Sequence, residues 1–165
     1  MILAIDIGNT NIVIGCCDRE KIYFVERLST NNTKTELEYA ISFKNVLELY
    51  HINPKEIEGG IISSVVPPIT NIVRASAEKV LGKSVKIVGP GVKTGLNILM
   101  DNPAQVGSDR IVNAVAAINE YTAPLIIIDM GTATTFCVVD EKKNYIGGMI
   151  LPGVRISLDA LTAGT

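Results

Sequence analysis

The sequence predicts an α/β protein: a first unit of order βββαβαβ followed by an incomplete second copy of the same plan. Three observations carry that prediction. Strand-sized apolar runs are separated by clusters of turn formers, helical spacing appears between capping signals, and after Pro124 the pattern restarts with matching residues. A chain of 165 residues accommodates one complete domain and part of another.

Residues 2–7 and 12–17 are β-type runs joined by Gly8-Asn9-Thr10-Asn11, which reads as a hairpin, and a third strand is expected over 21–28. Thr35 and Glu38 form a capping-box pattern, after which Leu37, Ala40, Ile41, Lys44, Leu47 and Tyr50 mark a helical face that ends before Pro54. A strand over 60–66 leads to a helix opened by Pro67-Pro68 and closed by Gly82, and a short strand follows at 84–88. Residues 89–106, with Pro90, Gly91, Gly95 and Pro103, read as loop with a short extended piece. A helix from Gly107 or Ser108 to about 121 then joins the halves, with Ile111, Val112, Val115 and Ile118 as core. Beyond Pro124, strands are expected at 125–129, 136–139 and 145–151, and Pro152-Gly153 opens a helix over 154–161. This divides the chain into a first domain, 1–120, and the start of a second, 121–165, which still owes a βαβ segment if it follows the plan of the first.

Composition narrows the function classes. With 47% apolar and 19% charged residues, the chain is neither a disordered tail nor a linker. A net charge of −2, without a basic block, argues against nucleic acid as principal partner. No run is long enough to span a membrane and no secretory leader is visible at residues 1–6, so a cytoplasmic location is expected. Cys16, Cys17 and Cys137 lack metal-ligand spacing and suit reduced thiols, while His51, the single histidine, suits a helix end. Any general base is therefore expected to be a carboxylate.

Two turns and one helix start could carry chemistry. Asp6 ends an apolar strand expected to be buried, where a carboxylate needs a partner, and the turn after it offers backbone N–H groups and small polar side chains suited to phosphate oxygens. A hairpin end without a ligand uses the same residues, and a single copy favours that reading. The second copy reverses the balance, because Ile5-Asp6-Ile7-Gly8-Asn9-Thr10 aligns with Ile128-Asp129-Met130-Gly131-Thr132-Ala133. Two such bends from related halves are expected to grip one nucleoside triphosphate, with Asp6 holding the accompanying Mg²⁺. No P-loop and no Gly-x-Gly-x-x-Gly sequence is present, which disfavours a dinucleotide oxidoreductase. At Gly107-Ser108-Asp109-Arg110 a helix N-terminus welcomes an anion, Arg110 offers a fork for a carboxylate, and the Asp109 carboxylate can orient a hydroxyl and take its proton. Simple capping with a structural ion pair is the bland alternative.

Asp6-Ile7-Gly8-Asn9-Thr10, Asn102-Pro103 with Val106 through Ala114, Asp129-Met130-Gly131-Thr132-Ala133-Thr134, and Gly147-Gly148 with Pro152-Gly153 together resemble type III pantothenate kinase. The resemblance implies the ribonuclease H-like, actin-type ATPase fold. It implies transfer of the ATP γ-phosphate to pantothenate, giving 4′-phosphopantothenate in the first step of coenzyme A biosynthesis, by a homodimer using Mg²⁺ and a monovalent cation (K⁺ or NH₄⁺). By position, Asp6, Ile7, Gly8, Asn9, Thr10, Asn11, Ile12 and Val13 would form the first ATP-binding segment and Thr132 a second contact. Asp129 would match the K⁺ ligand, and Gly107, Ser108, Asp109 and Arg110 the pantothenate site, with Asp109 as proton acceptor. Met100 stands where the family places a substrate-contacting Tyr, so one hydroxyl contact of the pattern has no counterpart. Family members also continue beyond the length seen here. Two other readings stay open: a nucleotide-binding or transcription-accessory module without catalysis, and an inactive kinase fragment.

Overall fold

The computed structural model describes residues 1–89 and 92–164; Pro90 and Gly91, expected in the long loop, lie outside the described residues. Packing divides the chain into two compact units, Met1–Gly89 and Pro90–Thr165.

In the first unit, strands β1 (Ile2–Ile7), β2 (Asn11–Cys17), β3 (Ile22–Ser29), β4 (Gly59–Ser64) and β5 (Val85–Ile87) form one sheet of order β3-β2-β1-β4-β5. The first three strands are antiparallel neighbours, whereas β4 and β5 run parallel to β1, as their helical crossovers require. Helices α1 (Glu36–Leu49) and α2 (Pro67–Leu81) are those crossovers. Their apolar sides bury Leu3, Ile5, Ile7, Ile12 and Ile14 of the sheet together with Tyr39, Phe43, Val46, Ile69 and Val73.

Local chemistry explains where the helices begin and end. Thr35 caps α1 in a complete capping box with Glu38, whose carboxyl is held below its usual value by the Thr35 backbone N–H and hydroxyl. At the other end, Ile52 N donates to Leu47 O (2.9 Å) and His51 N to Glu48 O (3.0 Å), with His51 at φ +54°, a Schellman closure around the lone histidine. The α2 helix starts on Pro67-Pro68 and ends on left-handed Gly82. One expectation fails in α1: Leu37, Ile41 and Tyr50 are exposed, and the buried side is Tyr39, Ala40, Phe43, Val46 and Leu47. The two buried aromatic rings, four residues apart, set the face instead of the more numerous aliphatics.

In the second unit, β6 (Asn97–Ile98), β7 (Leu125–Met130), β8 (Ala133–Val139) and β9 (Asn144–Pro152) form a sheet of order β6-β9-β8-β7. Helix α3 (Ser108–Glu120), expected to join the halves, packs on this sheet. Val106, Ala114, Ile118, Cys137, Val139 and Tyr145 form the small core between them, whereas Val112 and Val115 stay partly exposed. Helix α4 (Val154–Gly164) buries none of its described side chains. Among the described residues, no helix is long and apolar enough to cross a membrane.

The repeat extends further than the residue match. Both sheets shift register just before the turn to the third strand, between Cys16 and Cys17 and between Val138 and Val139. The next residue in each copy is an aspartate that organises the turn. Asp18 Oδ1 accepts from the amides of Glu20 and Lys21, both at 2.9 Å, and Asp140 Oδ1 from those of Lys142 (2.9 Å) and Asn144 (2.8 Å).

Candidate active site

The register Ile7↔Ile12 leaves Gly8, Asn9, Thr10 and Asn11 as the first turn, closed by a hydrogen bond from Gly8 N to Asn11 O of 2.9 Å. A Cβ on Gly8 would stand 3.2 Å from that oxygen, so the turn has little room for another residue there. Ile7 and Ile12 are fully buried, which limits their part in any ligand contact to the backbone; Val13 is half-buried and Asn9 and Thr10 are exposed. Asp6 is exposed, contrary to expectation. Strand alternation puts Leu3, Ile5 and Ile7 under the helices and turns Asp6 to the opposite face, so burial does not oblige this carboxylate to find a partner. Its claim to a ligand rests on its place beside the turn.

The second turn is one residue shorter: Met130 pairs with Thr134, leaving Gly131, Thr132 and Ala133. Asp129, at the end of β7, is exposed and accepts a 3.0 Å hydrogen bond from Asn113 Nδ2 of α3. Asn113 lies within the Val106–Ala114 stretch and is a site residue that sequence reasoning missed. Its position four residues after Asp109, on the same helix face, is the signal that could have singled it out.

The start of α3 supplies the remaining groups. Gly107 is the N-cap and gives no side-chain cap, so the bland reading of a self-capped end does not describe it fully. Asp109 Oδ1 is buried without a hydrogen-bond partner. A buried carboxylate oxygen in that state is costly, which is the condition a substrate hydroxyl would relieve. Arg110 Nη2 donates to Gln105 O at 3.3 Å, and Ser108 is buried beside them. Met100 is exposed in the segment after β6.

Beneath this corner, fully buried Tyr145 donates its hydroxyl to Cys137 Sγ at 3.5 Å. Burial, then the Cys137 contact, pushes the Tyr145 hydroxyl up to about 12, while burial raises the Cys137 thiol. Arg110 acts electrostatically to lower that thiol, and Asp109 and Asp129 to raise it. Gly148 belongs here for steric reasons: a Cβ would lie 2.3 Å from Phe136 O and 3.0 Å from the Tyr145 hydroxyl.

Among the described residues no group of three or more His, Cys, Asp and Glu side chains is gathered for a metal. Asp6 and Asp129 are instead single exposed carboxylates, each beside a turn, the donor chemistry that a hydrated cation arriving with a polyphosphate asks of a protein.

The sequence pattern described as type III pantothenate kinase matches residues 2–165. The chain belongs to the type III pantothenate kinase family. Relatives bearing that name include one from Brevibacillus brevis, 50% identical over 161 residues, and one from a Geobacillus species, 50% identical over 163 residues. These alignments cover 98% and 99% of this chain but 63% of each relative, so the chain spans less than two thirds of the length of the curated relatives it matches. Solved structures carry the fold at low identity. A putative N-acetylglucosamine kinase from Porphyromonas gingivalis matches with TM-score 0.55 and 15% identity over 90% of this chain and 47% of that one. The ethanolamine utilization protein EutJ from Carboxydothermus hydrogenoformans matches with TM-score 0.56 and 14% identity over 98% of this chain and 55% of that one. The expected actin-type ATPase fold is the one found.

Proposed function

We propose that this type III pantothenate kinase chain carries the nucleotide turns and the acceptor-hydroxyl site of an ATP-dependent kinase acting on pantothenate. Asp109 Oδ1, buried and unpartnered at the start of α3, is the observation that supports the reading most. In the proposed step the primary hydroxyl oxygen of pantothenate forms a bond to the γ-phosphorus as the bond to the bridging β–γ oxygen breaks. ADP leaves, and the hydroxyl proton passes to Asp109. Arg110 is the fork for the pantothenate carboxylate, Gly107 and Ser108 line the same helix start, and Met100 replaces a hydroxyl contact with an apolar one. Residues 6–13 and Thr132 are the ATP contacts. When bound, Mg²⁺ at Asp6 and K⁺ or NH₄⁺ at Asp129 offset phosphate charge. We place the protein in the cytoplasm as a homodimer.

The test is ADP release by the protein expressed from its complete reading frame, with pantothenate and a panel of other hydroxyl and carboxylate acceptors. Asp109→Asn is expected to lower kcat by about 10²–10⁴-fold while ATP affinity stays unchanged. A wild-type rate in that variant would remove Asp109 as the base. ATP binding with no turnover on any acceptor would favour the accessory-module reading, which the family match does not favour.

A further inference from the structure

We infer that Thr30 and Gly153 are equivalent positioning residues, each strapping one nucleotide turn into shape from the end of the third strand of its copy; the inference rests on the kinase reading above. Thr30 directly follows β3 and Gly153 directly follows β9. The Thr30 amide donates to Thr10 O at 3.0 Å, and the Gly153 amide donates to Thr132 O at 3.1 Å. The same backbone bond thus reaches the threonine carbonyl of each turn. The residues next to Thr30 and Gly153 share only a leucine two positions earlier, Leu28 and Leu151, so the equivalence is visible chiefly in space.

The strap has a physical use. A turn that receives phosphate must keep its carbonyl oxygens, which carry partial negative charge, from facing the anion. In the first turn three of the four carbonyls of residues 8–11 are held by protein donors: Gly8 O by the Thr30 hydroxyl at 2.6 Å, Thr10 O by the Thr30 amide, and Asn11 O by the Gly8 amide at 2.9 Å. In the second turn Gly131 N donates to Ala133 O at 3.0 Å and Gly153 holds Thr132 O. The two copies differ in how the strapping residue fits. A Cβ at residue 153 would stand 2.4 Å from Thr132 O and 2.5 Å from Gly131 O, so only glycine passes over the shorter turn. Over the longer turn there is room for a side chain, and its hydroxyl adds a second bond.

The experiment compares Thr30→Val, Thr30→Ser and Gly153→Ala with wild type in the complete protein, reading KM for ATP, KM for pantothenate, kcat, and amide hydrogen exchange at residues 9–11. Loss of the hydroxyl bond in Thr30→Val is expected to raise the ATP KM by about 3–10-fold and to speed exchange in the turn, with the pantothenate KM and kcat unchanged. Thr30→Ser is expected to restore both, and Gly153→Ala to raise the ATP KM further. An unchanged ATP KM in Thr30→Val, a parallel rise of both KM values, or no rescue by serine would overturn the strap. If Gly153→Ala does not fold, the Thr30 pair decides. Wild-type protein that binds no ATP would overturn the kinase reading and the strap with it, whereas wild type and Thr30→Val binding ATP equally would overturn the strap alone.

Discussion

The first and second sheets share a strand plan, a register shift and an aspartate-led turn, yet they differ in what covers them. On β1 the side chains Leu3, Ile5 and Ile7 are 0%, 3% and 0% exposed under α1 and α2, whereas on β7 Ile126, Ile128 and Met130 are 69%, 54% and 69% exposed. Met149 and Leu151 extend that open apolar face across β9. The covered side of the second sheet is the other one, where α3 meets Leu125, Ile127, Cys137 and Tyr145. The turns keep the same closing and strap hydrogen bonds in both copies despite this contrast, although the second is one residue shorter. Strand register and local hydrogen bonds therefore set the turns, and helix cover sets stability. These are separable properties of one repeat.

Breaking the contrast should cost most where cover is complete. Ile5→Ala is expected to destabilise the protein by about 2–5 kcal/mol, and Ile128→Ala by less than about 0.5 kcal/mol, measured by denaturant unfolding. Equal losses at the two sites would mean that the open face is covered in solution. Gly148→Ala should cost about 1–3 kcal/mol despite lying in the sparser unit, because the added carbon meets the Phe136 carbonyl and the Tyr145 hydroxyl. Thr35→Ala, which removes the capping box of α1, should cost about 1 kcal/mol, readable as a lower thermal midpoint. The smallest effect belongs to the paired turn aspartates. Hydrogen bonds from Tyr23 and from the Glu20 and Lys21 amides hold the Asp18 carboxyl down at about 2, and the Asn144 side chain and amide lower that of Asp140. A folded value below the unfolded one adds stability that is present above the ordinary 3.8 and is lost as pH falls through about 2. Asp18→Asn should flatten that acid limb of the stability profile, and an unchanged limb would remove Asp18 from it.

Much of this architecture was readable from residues alone. Turn formers between β-branched runs mark the hairpins, Thr35 with Glu38 marks the start of α1, and Pro67-Pro68 and Gly82 bracket α2, because each acts through neighbours in sequence. What failed depended on contacts distant in sequence. The buried face of α1 was set by Tyr39 and Phe43 packing on the sheet, and the exposure of Asp6 by which side of β1 the helices cover. The matching turns at Asp18 and Asp140 carry one pattern, Asp-x-x-Lys-x-Tyr, with Lys21 and Tyr23 in the first copy and Lys143 and Tyr145 in the second, so this equivalence stands in the residues as well as in the hydrogen bonds. At the candidate site, Asp109 and Arg110 were legible as a helix start. Tyr145 was not, since it reaches that corner from β9, thirty-five residues further along the chain.

The central proposal is that the turns after Asp6 and after Asp129 both touch ATP. Titrating Mg²⁺-ATP into the ¹⁵N-labelled complete protein and following backbone amide resonances tests it most directly. The amides of residues 8–11 and 131–133 are expected to shift together, with one dissociation constant. Saturable ATP binding that moves only one of the two turns, or neither, would contradict the claim.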